Sequence, residues 1–146
     1  VAQRLGVTRA QLRAAIADGF RAQKDVTRPD LGRAAYTTAV AAALGVTVAD
    51  VERAREAARA ADGREAKRAA YAAALGKTVT EVAAAIDKVE ADFRAAKKTY
   101  RQQTIDAFYA AVASALGKDA ATVKAAFAAV YGKAAARQRP AACVGR

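Results

Sequence analysis

The sequence predicts an all-α protein, a bundle of about six to eight helices built from four divergent hairpins of helix, Gly turn and capped helix. Three observations predict it. Ala supplies roughly a third of the 146 residues, far above ordinary usage, and Ala enters a helix without losing side-chain entropy. Strand-like alternation of apolar and polar residues is absent. One phrase also occurs four times: VAQRLGVTRAQLRAAI from Val1, VAAALGVTVADVERAR from Val40, YAAALGKTVTEVAAAI from Tyr71 and VASALGKDAATVKAAF from Val112. A chain of this length suits one buried core. Residues 1–137 are therefore expected to form a single helical-bundle domain, and 138–146 a flexible basic tail.

Each copy has the same local logic. Gly6, Gly45, Gly76 and Gly117 follow a Leu, where a helix ends in the left-handed conformation that Gly adopts cheaply. Two residues on stands a side chain able to cap the next helix: Thr8, Thr47, Thr78 or Asp119. Gln11 and Glu81 complete capping boxes with Thr8 and Thr78, while Val7 and Val46 can staple onto Leu12 and Val51. In the later copies Lys77 and Lys118 leave only their aliphatic stems to pack.

The elements follow in order. The first hairpin's second helix spans about 9–24 and stops in DVTRPD, where Pro29 forbids continuation. A hairpin covers about 30–61, ended by Asp62-Gly63, and another begins near Arg64. Residues 79–115 contain neither Gly nor Pro. Their apolar stripe (Val79, Val82, Ile86, Val89, Phe93, Ala96, Tyr100) resumes out of step at Ile105, Phe108, Val112 and Leu116. A bend or short break is expected between Lys98 and Thr104, with Thr99 or Thr104 as cap; one bent helix and two helices both remain open. The last helix spans about 120–136.

These Leu-Gly turns, each followed by a cap and an aliphatic residue four positions on, make the chain similar to the alanine-rich LGV(S/T) helical-hairpin repeat proteins of high-GC actinobacteria. The resemblance covers most of residues 1–131. It implies a secreted or extracytoplasmic helical architecture and carries over no catalytic residue. The N-terminal Val fits a processed, secreted chain. The longest uncharged apolar stretch, AFYAAVASALG from Ala107, is too short to span a bilayer.

Read alone, the opening phrase looks like a DNA-binding helix-turn-helix, with Arg9, Gln11 and Arg13 placed to meet base edges. The other copies argue against it. Asp50 and Glu52 would repel phosphate, Glu81 is followed by Ala83 and Ala84, and the fourth copy offers little beyond Thr122 and Lys124. A turn used four times is scaffold first, so no specific nucleic acid is expected as partner.

The inventory argues against an enzyme. The chain has no His, so the usual general base and metal ligand are missing. Ser114 stands alone inside a helix and Cys143 alone near the terminus. Most carboxylates have a Lys or Arg three or four residues away, as solvated pairs do. No cofactor and no metal are expected.

The net charge of +11, from 25 Lys+Arg against 14 Asp+Glu, favours polyanions, anionic surfaces or acidic ligands as partners. Counted along the chain, the excess grows toward the C-terminus. Two features stand out. Arg94, Lys97, Lys98 and Arg101 share one helix face and are candidate anion-binding residues; the plainer account is an exposed face. Phe93, Tyr100, Phe108, Tyr109, Phe127 and Tyr131 are candidate ligand-binding residues, for which the plainer account is core filling. The first expected function is a secreted, non-catalytic carrier of an apolar or amphipathic, possibly acidic, small molecule. The alternative is a surface or assembly module that binds a polyanion or partner protein through its charge. DNA binding through the first hairpin comes third.

Overall fold

The structure, a computed structural model, describes residues 1–137, with side chains through Gly132. The expected tail and Cys143 lie outside the described residues. The fold is all-α. Seven helices occur among the described residues: α1 (Ala2–Leu5), α2 (Arg9–Asp25), α3 (Arg33–Leu44), α4 (Val48–Ala60), α5 (Arg64–Ala74), α6 (Val79–Leu116) and α7 (Ala120–Arg137). None of them is, singly, long and apolar enough to cross a membrane.

All four repeated turns form as their residues dictate. Gly6, Gly45, Gly76 and Gly117 have φ between 60° and 66°, a region that costs a side-chain-bearing residue about 1–2 kcal/mol. The caps follow. Thr8 Oγ1 accepts from Gln11 N at 3.1 Å while Gln11 Oε1 accepts from Thr8 N at 2.9 Å. Glu81 closes the same box on Thr78, and Asp50 closes a third on Thr47, beyond the two expected. Asp119 accepts from Thr122 N. These hydrogen bonds favour ionised carboxyls. Asp50 is lowered chiefly by the Thr47 hydroxyl, Glu81 by the Thr78 backbone N–H and Asp119 by the Thr122 hydroxyl.

Of the two expectations near Lys98–Thr104, the break into two helices does not occur: α6 is one helix from Val79 to Leu116. Thr104 caps nothing. Its hydroxyl donates back to Tyr100 O at 2.8 Å, within the helix, a bond open to Thr at mid-helix. The slip in the apolar stripe has another cause. The N-terminal half of α6 buries Val82, Ala85 and Val89 in one core, and the C-terminal half buries Phe108, Tyr109, Val112 and Ala113 in a second.

Where one core is expected, two are found. The first unit joins residues 1–28 to 98–146, and the second is 29–97. Ala-rich helices bury little volume per residue, so each core forms where the few bulky side chains gather. In the first unit Leu5, Ala15, Val123, Ala126 and Phe127 close around the C-terminal half of α6. Here Gly19 is the tight point. A Cβ on it would lie 2.6 Å from Phe108 Cδ2 and 2.8 Å from Val112 Cγ2, so the α2 backbone seats directly on the ring. In the second unit Val40, Ala41, Leu44, Val51, Ala54, Ala72 and Leu75 pack with Val82, Ala85 and Val89.

Candidate functional site

The six candidate aromatic residues do not come together. In the first unit Phe108, Tyr109 and Phe127 are buried and meet edge to face, with centroids 5.3–6.2 Å apart. Phe20, absent from the expected set, tilts against Phe108 at 5.4 Å. Tyr131 leans on Phe127 at 6.1 Å and is 41% exposed. Phe93 belongs to the second unit, edge-on to Tyr36 at 5.6 Å. Tyr100 is half-buried on α6 and belongs to neither buried cluster.

The candidate anion-binding residues are also divided. Arg94 and Lys97 belong to the second unit, Lys98 and Arg101 to the first; all four are exposed, and Arg94 pairs with Glu90 at 3.5 Å.

The helix-turn-helix residues have local employment. Gln11, the expected base reader, spends its side-chain oxygen on the Thr8 cap. The chain bends by 102° between α3 and α4, within the range of DNA-reading hairpins. Yet Asp50 is a cap there and Glu52 is held by Arg33 and Arg55 at 3.2 and 2.9 Å.

Charge separates sharply between the units. Among residues 1–137 the first holds 12 basic and 4 acidic residues, and the second holds 11 and 10. Pairing sharpens the contrast. In the first unit Arg4, Arg9, Arg13, Lys24, Arg28, Lys98, Arg101 and Lys118 make no ion pair among the described residues. Of the cations whose side chains are described there, only Arg21, with Asp18, and Lys124, 4.0 Å from Asp106, do so. In the second unit Arg33, Arg53, Arg55, Arg59, Lys88 and Arg94 are paired, while Arg64, Lys67, Arg68, Lys77 and Lys97 make no ion pair among the described residues. Arg9, Arg13 and Lys24 fall on one exposed flank of α2, at helical positions that lie within about 60° of one another at 100° per residue.

The second unit carries a different arrangement. Between α4 and α5 lies a shallow, open depression of about 240 Å³ lined by Arg55, Ala58, Arg59, Lys67 and Tyr71. Arg55 is anchored from behind: its Nη1 donates to Thr37 Oγ1 at 2.7 Å and to Glu52 Oε1 at 2.9 Å. Thr37, 1% exposed, gives its own proton to Arg33 O at 2.9 Å, leaving its oxygen free to accept from Arg55. Desolvation pushes the Glu52 carboxyl up, but Arg55 and Arg33 together bring it below its ordinary range. Burial raises the Tyr71 phenol against the pull of Arg55, keeping it neutral. Thr37 and Arg55 stand 18 residues apart, so sequence spacing could not pair them.

Among the described residues no group of three or more Asp, Glu, His and Cys is placed to hold a metal. No protein-family model, curated protein or solved structure matches the chain.

Proposed function

We propose that this chain is a non-catalytic, extracytoplasmic binding module that docks a linear polyanion through the cationic surface of its first unit. One observation carries the reading: eight of the ten cations whose side chains are described there make no ion pair, against five of eleven in the second unit, and Arg9, Arg13 and Lys24 share one flank of α2. Such a row neutralises successive anionic groups and releases their counterions. A protein partner is less well served, because stable interfaces centre on buried apolar and aromatic anchors. Among the described residues the exposed large apolar ones are Val48, Val79, Val130 and Tyr131, and the α2 flank carries none of them. Edge-to-face packing of Phe108, Tyr109 and Phe127 also supports this reading over an apolar carrier, for which those rings are the expected lining.

Fluorescence anisotropy with labelled polyphosphate tests it. Affinity should fall steeply and log-linearly with salt. Arg9→Gln with Arg13→Gln should weaken binding and flatten the salt slope by roughly one unit per lost contact. Arg94→Gln with Lys88→Gln, in the second unit, should change little. Equal losses from both pairs, or no binding by the parent protein at low salt, would overturn the proposal.

A further inference from the structure

We infer that the depression between α4 and α5 is a second, separate site, one that takes a single oxyanion (a phosphate or a carboxylate) on a small ligand, with Arg55 as its fork and Thr37 as the residue that positions the fork. The geometry supplies the reason. Arg carries five N–H donors in a rigid plane. Both hydrogens of Nη1 are spent, one on Thr37 and one on Glu52. Nε and Nη2 make no hydrogen bond among the described residues. An Arg held in this way offers the free Nε–Nη2 edge, which meets the two oxygens of a carboxylate or phosphate side by side.

The surroundings suit an anion. Arg33, Arg55, Arg59 and Lys67 stand against Glu52 and Glu56, leaving an excess of two positive charges. Lys67 is exposed and makes no ion pair among the described residues. Arg59 is tied only to Glu56, at 3.3 Å with both side chains at least 65% exposed, a pair that a ligand can exchange at small cost. Ala58 and the ring of the neutral Tyr71 supply an apolar wall. The ligand is therefore a small molecule with one oxyanion and an adjoining apolar part. Fixing the guanidinium before binding lowers the ordering cost of the complex. That is the role of Thr37: it touches no ligand, but its buried hydroxyl locks the guanidinium that forms the fork.

The test is a titration of ¹⁵N-labelled protein, at constant ionic strength, with inorganic phosphate and separately with acetate, following the Arg55 Nε–H resonance. A saturable shift is expected. Stronger response to phosphate identifies a phosphoryl ligand, and stronger response to acetate a carboxylate. Thr37→Val should weaken binding about tenfold or more, the scale of one charge-assisted hydrogen bond, while Thr37→Ser, which keeps the hydroxyl, should restore it. Arg55→Lys should also weaken it, because an ammonium cannot form the fork. A linear shift, a response no larger than that of Arg9, or full binding by Thr37→Val would overturn the inference. If Thr37→Val fails to fold, Arg55→Lys decides the matter: undiminished binding by that variant sinks it. The polyphosphate experiment probes the first unit, so either proposal can fail without the other.

Discussion

The two units solve the problem of an alanine-rich core in opposite ways. The first spends aromatic volume: Phe20, Phe108, Tyr109 and Phe127 interlock, and α2 gives up a side chain at Gly19 to let a ring in. Its surface cations are left almost uncompensated. The second fills its buried core with aliphatic residues and Ala, keeps Tyr36, Tyr71 and Phe93 at the margin, and ties its helices together with polar contacts from Thr37, Arg55, Glu52 and Arg33. Its charges nearly cancel, and most of its cations have a carboxylate partner. An aromatic core makes stability there largely independent of ionisation, which leaves the surface free to carry unpaired charge. The second unit makes ionised carboxylates part of its framework.

The sharpest way to break this contrast is Phe108→Ala. The ring is 1% exposed and meets three other rings at 5.3–6.2 Å, so its loss should cost about 3–5 kcal/mol in a denaturation experiment. Amide exchange should accelerate most in α2 and α7, and less in α4. A cost under about 1 kcal/mol, or loosening spread evenly over both units, would show that the aromatic cluster is not the first unit's keystone.

Gly19→Ala comes next. In an unconstrained helix this change stabilises by about 1 kcal/mol. Here the new Cβ would sit 2.6 Å from Phe108 Cδ2 and 2.8 Å from Val112 Cγ2, and overpacking costs about 1–3 kcal/mol. Net destabilisation is expected, relieved when Phe108→Leu is added, since contacting residues couple. A stabilised single variant would mean the crossing has slack.

What the sequence discloses depends on distance along the chain. The four turns are legible because Gly, cap and staple lie within a few residues of one another, and all four formed. Gly19 went unremarked: it is an isolated Gly inside a helical pattern, and what requires it, Phe108, lies far along the chain. The slip near Tyr100 was visible, yet its meaning was not: a helix that changes core looks, in one dimension, like a helix that breaks. Thr37 reads as one more small residue of α3 until Arg55 is beside it. Charge segregation was hidden most completely. The first unit is assembled from both ends of the chain, so counting along the sequence mixes its cations with the balanced middle.

The smallest effect expected is the most selective, a difference in acid response. Asp50, Glu52 and Glu81 in the second unit and Asp119 in the first have folded-state pKa values below their ordinary ones. A depressed carboxyl contributes stability that is present above its unfolded pKa and lost as pH falls through the folded one. The window therefore opens near about pH 4 and extends downward. Three of the four groups are in the second unit, whereas the Thr8 cap of α2 uses Gln11, which does not titrate. Amide exchange, corrected for intrinsic rates, should then show α4 and the start of α6 losing protection before α2. High salt is needed in the measurement, because protonation leaves both units more positive and screening suppresses that repulsion. Glu81→Gln sharpens the test by copying the Thr8–Gln11 box onto α6. It should keep the cap and remove part of the acid dependence at that helix start. Identical acid profiles for α2 and α4, unchanged by Glu81→Gln, would mean that the carboxylates of the second unit are surface decoration and not part of its framework.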